Sequence, residues 1–487
     1  MDYEAVIGLE THVQLKTKSK MWCGCANTFG AEPNTNVCPV CLGLPGVLPV
    51  ANEEALRLTV LTGYLLNCEI PRFAKFDRKS YFYPDMPKNY QITQYDKPST
   101  ANGYVEFEFA GAGSTNGLSR VRITRAHLEE DVGKSFHFER NSGVDFNRAG
   151  VPLMEIVSEP DITSADMAYE YLNALKEILV QGGVSDCDME KGMVRCDVNV
   201  SVRPAGTKEL GEKIEIKNMN SFSGVRRALE YEISRQIEAL KKGEKLVQST
   251  RRWDDVAGVT EEMRTKEHAH DYRYFPDPDL MPVAPSEAWL AEVKSRVVEL
   301  PLVRKQRLAR EFHITSYDAG VLVQHPTLGD YFIKQIEFVP PGKVDVFGKP
   351  IANYIINNLP AFAQATGQKL DEFIPNLPPS GVFDVASAQL SGQISASAGQ
   401  TVFLKMCETG KAPQALIQEL GLAQVSDTGA IEKFCDEVIA ANPGPANDFK
   451  SGKTAALNFL KGQVMKLSKG KANPALVGEI LERKLKA

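Results

Sequence analysis

The clearest alternation of apolar and polar positions runs from Val194 to Arg203. Val194, Cys196, Val198, Val200 and Val202 share one face of a predicted strand, and Arg195, Asp197, Asn199, Ser201 and Arg203 share the other. Beyond a loop containing Pro204, Gly206 and Gly211, Ile214 and Ile216 alternate with Glu215 and Lys217, which predicts an antiparallel pair. The first predicted strand, Val6 to Leu15, puts Ile7, Leu9, Thr11, Val13 and Leu15 on one face and Gly8, Glu10, His12 and Gln14 on the other. A further strand from Arg120 to about Leu128 ends in Glu129-Glu130-Asp131, and Val151 to Val157 carries Glu155.

Apolar spacing changes to a helical period in Ser164–Gly182 (Leu172, Leu175, Leu179) and Ser221–Gly243 (Val225, Leu229, Ile233, Ile237). Ser164 or Thr163 suits the first N-cap, and Gly182-Gly183 the stop. After about residue 293 the pattern is mostly helical, with joints at Pro340-Pro341 and Pro378-Pro379; from about 409 short helices alternate with breaks such as Ala441-Asn442-Pro443-Gly444-Pro445. The expected organisation is an α+β domain built on antiparallel sheet over 1–292, an all-α domain over 293–408 and a small all-α tail over 409–487.

Composition narrows the class. The chain has 487 residues, 43% apolar and 24% charged, enough to bury substantial cores. It contains no apolar run of about 18 residues, the length a membrane helix needs. MDYEAVIGLE has no basic segment of the secretory kind, so a cytoplasmic location is expected. Net charge is −6, yet Asp448 to Ala487 holds nine Lys or Arg against three Asp or Glu. A basic tail on an acidic body points to a nucleic-acid contact.

Nine cysteines in a long chain of this kind do not suggest a disulfide framework. Cys23, Cys25, Cys38 and Cys41 have the spacing of a four-thiolate zinc site, which would be structural because sulfur fills every position. The carboxylates suit a harder ion. Glu10, Glu130, Asp197 and Glu215 could hold Mg²⁺ if their strands are neighbours, with His12 orienting a ligand and Arg195 and Lys217 offsetting phosphate charge. Phe76 to Asp85, with Lys79, Tyr81 and Tyr83, could line a nucleotide pocket, and Asp271 to Asp279 is a similar cluster. Ser451-Gly452-Lys453-Thr454 is not a phosphate loop, because Asn447 stands where that motif needs glycine and no strand precedes it.

Several long segments together resemble the GatB family, the B subunits of glutamyl/aspartyl-tRNA amidotransferases. They are VIGLETHVQL (6–15), PGVLPVAN (45–52), FDRKSYFYPDMPK (76–88), ITRAHLEEDVGK (123–134), DFNRAGVPLMEIVSEPDI (145–162), MVRCDVNVSVRP (193–204), EIKNMNSF (215–222), DYRYFPDPDL (271–280) and DFKSGKTAALNFLKGQVMKLSKGKANP (448–474). The resemblance implies an ATP-dependent ligase that phosphorylates the side-chain carboxylate of Glu or Asp misacylated on tRNA-Gln or tRNA-Asn. Ammonia from a GatA amidase, in a heterotrimer with GatC, then completes the amide. It implies a cradle-shaped catalytic domain, Mg²⁺ at Glu10 and Glu130 with His12 beside them, and Asp197 and Glu215 at the reaction site. Lys79, Tyr81, Tyr83, Arg195, Asn199 and Lys217 would line the ATP and aminoacyl pocket. Lys453, Lys461, Lys466, Lys469 and Lys471 of the tail would contact tRNA. The competing expectations are a non-catalytic, zinc-containing tRNA-binding scaffold and a lone metal-dependent phosphohydrolase, against which the acid-rich strand faces and the few histidines respectively speak.

Overall fold

The structure, a computed structural model, describes residues 2–111, 114–265, 272–424, 428–468 and 472–486. Among them are thirteen strands: β1 (Tyr3–Gln14), β2 (Asp77–Ser80), β3 (Tyr90–Thr93), β4 (Gly103–Glu108), β5 (Leu118–Glu130), β6 (Lys134–His137), β7 (Ser142–Asp145), β8 (Pro152–Ser158), β9 (Val194–Pro204), β10 (Ile214–Lys217), β11 (Ser249–Asp254), β12 (Val259–Thr265) and β13 (Tyr274–Pro276). The chain divides into two compact units, Met1–Leu302 and Val303–Ala487.

The first unit is organised by one eight-stranded sheet in the order β12-β11-β10-β9-β1-β8-β5-β4. β9 and β10 pair antiparallel, as the alternation predicts. The parallel exception is β10 beside β11, whose connection runs through a helix. The apolar sides of the strands, including Ile7, Leu9, Val13, Val198 and Val200, are buried to within 1% exposure. They form one core with α1 (Glu53–Leu65), α2 (Ala165–Gln181) and α3 (Phe222–Lys241). Of the two caps read for α2, Ser164 serves, its Oγ accepting the Met167 N–H at 3.1 Å; at the start of α3, Ser221 Oγ accepts the Gly224 N–H at 2.9 Å. The two aromatic-rich stretches, far apart in the chain, meet as neighbouring strands, with Tyr274 of β13 opposite Lys79 of β2. β2, β3 and β13 make their own small sheet, and β6–β7 a two-stranded ribbon.

β5 reaches Glu130, two residues past its expected end, and carries an irregularity between Ile123 and Arg125. That irregularity changes the alternation. Val121 and Ile123 face the core before it; Ala126 and Leu128 do so after it.

The second unit is helical. Pro340-Pro341 and Pro378-Pro379 fall between helices, as expected of residues that cannot continue one. Its buried residues form two clusters, one from Leu308 to Ile417 and one from Ile431 to Leu485. Ser451 to Thr454 joins two helices and follows no strand. Among the described residues no helix is long and apolar enough to cross a membrane.

Candidate active site and metal centre

Register decides which polar side chains meet. β1 lies between β8 and β9, so Glu10 stands opposite Asp197, and His12 stands opposite Arg195 on one side and Glu155 on the other. Beyond β8, His127 of β5 is opposite Glu155 and Glu129 is opposite Leu153. Opposed residues share a face, so these groups gather on the side of the sheet away from its apolar core. His12, Glu129, Arg195 and Asp197 among them line a cavity of about 410 Å³, together with Lys79, Asp131 and Lys217.

The centre of this face is an acid–histidine cluster. His12 Nδ1 lies 3.0 Å from Glu129 Oε1. Burial disfavours the imidazolium, but the hydrogen bond and charge of Glu129, with Glu155 and Asp197 beyond, raise the His12 pKa to about 9. Burial likewise pushes Glu129 upward, and His12 and Lys79 overcome it, holding that carboxyl below its ordinary value. Glu155 goes the other way, raised by burial and by the neighbouring Glu129 charge. His127 is wholly buried, which with nearby cations lowers its pKa to about 3. Its Nδ1 accepts from Arg125 Nε at 3.3 Å, leaving Nε2 to carry the proton, 3.6 Å from Glu155. Two adjacent buried carboxyls are thus pushed in opposite directions.

His12, Glu129 and Glu155 also offer ligand atoms that all lie within 4.8 Å of one another, the geometry of a cation site. Neither Glu10 nor Glu130 belongs to that group. Glu10 accepts from Asn199 Nδ2 at 2.8 Å. Glu130 takes the other alternation of β5 yet also lines the cavity; it pairs with Lys88 and accepts the Ile92 N–H at 2.9 Å. The structure therefore does not bring the expected Glu10–Glu130 pair into one ligand set. The acids that sequence reasoning passed over are Glu129 and Glu155. Alternation through Ala126 and Leu128 could have found the first, since it places Glu129, not Glu130, beside His127.

Cationic groups ring the cluster. Arg195 pairs with the buried Asp131 at 2.7 Å, and Asp131 also accepts from Gln14 at 2.9 Å. Arg195 and Arg148 hold the Asp131 carboxyl below its usual range although burial opposes them. Lys217 bonds Asp197 at 2.5 Å and lies 3.3 Å from Glu215, whose other oxygen accepts from Thr250 at 2.8 Å. Asn218 follows with φ of +69°, turning the chain toward the Ser221 cap. Lys79 sits 4.8 Å from the Tyr272 ring. Tyr81 lines the cavity and stacks on Tyr83, which is mostly exposed and not among the lining residues.

A residue-level match decides the family. A family model described as the GatB/GatE catalytic domain matches residues 5–291. The chain belongs to the GatB family. A second GatB domain matches residues 343–485. The B subunit of the aspartyl/glutamyl-tRNA(Asn/Gln) amidotransferase from Methylacidiphilum infernorum is 51% identical, over 100% of this chain and 99% of its own length. B subunits of the same description from Caldanaerobacter subterraneus and Thermoanaerobacter sp. are each 48% identical over the whole of both chains. Membership agrees with the segments 6–15, 145–162 and 193–204, which in the fold are β1, β8 and β9 with the turns that lead into them.

The four cysteines form a second centre. Cys41 Sγ lies 3.4 Å from Cys23, 3.7 Å from Cys25 and 3.7 Å from Cys38. A tetrahedron with metal–sulfur bonds of about 2.3 Å has sulfur–sulfur edges of about 3.8 Å, so the donor set fits one zinc-sized ion. The Lys20 ammonium, on a residue only 1% exposed, lies 3.5 Å from Cys41 Sγ and donates to the Asn36 carbonyl at 2.9 Å. It supplies positive charge where thiolates would gather negative charge.

In the tail, Lys453 is exposed and paired with Asp448, Lys466 is exposed, and Lys461 is half-buried with its stem over Gly478. Lys469 and Lys471 lie outside the described residues.

Proposed function

We propose that this chain is the amide-forming subunit of a cytoplasmic heterotrimeric ligase that acts on Glu-tRNA-Gln, Asp-tRNA-Asn or both. The observation that carries this reading is the His12–Glu129–Glu155 cluster, of which His12 and Glu129 line one cavity with Lys79, Arg195 and Lys217 in a GatB-family fold. The relatives named above are described as B subunits of a tRNA amidotransferase. A buried carboxylate cluster of this kind has no use in a passive tRNA scaffold, which favours the catalytic reading.

In the proposed reaction a side-chain carboxylate oxygen of the aminoacyl group attacks the γ-phosphorus of ATP, and ADP leaves. Ammonia then attacks the acyl carbon, inorganic phosphate leaves and the nitrogen loses a proton. Glu129 and Glu155 would hold Mg²⁺, with His12 orienting Glu129 through their hydrogen bond; the ion when bound neutralises charge on the transferring phosphate. Arg195, Lys79 and Lys217 would orient the anionic substrate groups. Asp197 holds Lys217 in place, and Glu10 holds Asn199. The proton that ammonia loses would go to the departing phosphate.

A GatA amidase would supply ammonia and GatC would complete the heterotrimer. Cys23, Cys25, Cys38 and Cys41 would hold structural zinc. Functionally the chain would divide into a catalytic part over 1–292, a helical part over 293–408 and a tRNA-contacting tail over 409–487.

The test supplies the assembled complex with ammonium, ATP, Mg²⁺ and Glu-tRNA-Gln. Glu129→Gln, Glu155→Gln and Glu10→Ala are each expected to slow Gln-tRNA formation on the order of 100-fold. Wild-type turnover in the first two would remove this site as the reaction centre.

A further inference from the structure

Beside the reaction cavity lies a second one, of about 580 Å³, between the four-cysteine loop, the β6–β7 ribbon and the start of β9. Asn220 lines both. Gln14 lines the second and bonds Asp131, which lines the first. Two aromatic rings face this space without being buried in it: Phe29 is 66% exposed and Phe136 37% exposed.

Phe29 is not on a loose loop. Asn27 donates to the Leu15 carbonyl at 3.1 Å. The Asn34 amide donates to the Val144 carbonyl at 3.0 Å, its backbone N–H to Asp145 at 2.9 Å, and its side-chain oxygen accepts the Phe146 N–H at 2.8 Å. Asn147 accepts the Asn36 N–H at 2.8 Å and donates to the Glu32 carbonyl at 2.7 Å. Hydrogen bonds to β7, to the two residues after it and to Leu15 thus hold a large apolar ring in solvent. Lys134 stands 4.9 Å from the Phe136 ring and opposite Asp145 in the ribbon, and among the described residues it forms no ion pair. The other cations of the cavity are engaged: Lys16 with Asp186, Lys191 with Asp188 and Arg148 with Asp131.

Rigid exposed rings with an uncommitted cation are the equipment for single-stranded nucleic acid, whose bases stack while a phosphate meets the charge. One free cation among the described residues that line the cavity matches a backbone phosphate and not the several charges of a triphosphate. We propose that this cavity takes the unstacked bases at the 3′ end of the aminoacyl-tRNA, so that the esterified amino acid passes Asn220 into the reaction cavity. The inference rests on the function proposed above and adds where its RNA substrate is gripped.

The experiment uses the full chain in the assembled complex. Affinity is measured for tRNA-Gln with and without its 3′-terminal nucleotides, and KM for Glu-tRNA-Gln and for ATP is measured in parallel. Phe29→Ala with Phe136→Ala should weaken binding of intact tRNA roughly tenfold or more, the effect of a missing base–aromatic stack. Shortened tRNA should bind the variant and the wild type alike, and ATP KM should not move. Phe29→Tyr, which keeps a ring, should restore most of the affinity and so separates stacking from misfolding. Unchanged discrimination between intact and shortened tRNA in a folded variant would overturn the proposal, as would a rise confined to ATP KM. If the wild-type complex made no amidated tRNA at all, the broader functional reading would fail, a separate result from either of these.

Discussion

Glu129 and Glu130 are adjacent in sequence and equally buried, and exchanging each for glutamine separates the roles proposed for them. Glu130→Gln keeps an oxygen for the Ile92 N–H but leaves Lys88, only 11% exposed at its side chain, without its charge partner. Removing one member of a buried pair costs about 3–5 kcal/mol. Lys88 retains the Tyr90 ring at 5.5 Å, which points to the lower end, about 3 kcal/mol. With a urea dependence near 3 kcal/mol per molar for a unit of this size, the midpoint should fall by about 1 M. All three tryptophans, Trp22, Trp253 and Trp289, lie in the first unit, so their fluorescence follows that unit alone. Glu129→Gln should cost less stability, because His12 can release the proton that Glu129 induced. Turnover should show the reverse order. Glu130→Gln should keep most of its ammonium- and ATP-dependent amidation below the unfolding transition, and Glu129→Gln should lose it. A Glu130→Gln protein that unfolds like wild type yet has no activity would refute the assignment and return Glu130 to the reacting groups.

Replacing Cys38 by Ser should lower zinc content from about one ion per chain, measured by elemental analysis, and should lower the fluorescence-detected midpoint of the first unit. Removing residues 425–487 should weaken tRNA binding and reduce its logarithmic salt slope by on the order of one for each phosphate no longer neutralised, with glutamine hydrolysis by the complex retained; an unchanged slope would exclude the tail. Asp318 caps a helix in the second unit, and although its burial would raise its pKa, Lys349 and Thr315 hold that pKa below its ordinary value. Its contribution is therefore present above the unfolded carboxylate pKa and lost as pH falls through the lower folded one. Asp318→Asn should be destabilised by about 1 kcal/mol at pH 6, with the difference from wild type closing toward pH 2 in helical circular dichroism.

Local rules were enough for much of this fold. Two-residue alternation identified β1, β9 and β10 and their polar faces, and serine caps placed the starts of α2 and α3, because both signals depend on near neighbours. Glu129 was legible in the same way, but nothing local marks the irregularity at Thr124–Arg125 that sets the alternation of β5. The pairing of Lys79 with Tyr274, and the hold that Asn34 and Asn147 have on the Phe29 loop, join residues more than a hundred positions apart. Such pairings leave no periodic trace. The four-cysteine centre was readable because metal ligands impose spacing on the chain itself.

The central position of β1 has a consequence for how this protein can vary. Eleven of its residues are paired with β9 while five are paired with β8 on the other side. A deletion of one residue within it would invert the alternation on one side of the cut, turning apolar residues there toward water and polar ones into the core, with both neighbours dictating the mismatch. Length changes should instead accumulate between Ala205 and Glu212, where the β9–β10 connection runs largely exposed. Lineages and engineers can therefore lengthen that hairpin freely, whereas the strand carrying His12 admits substitution but not insertion or deletion.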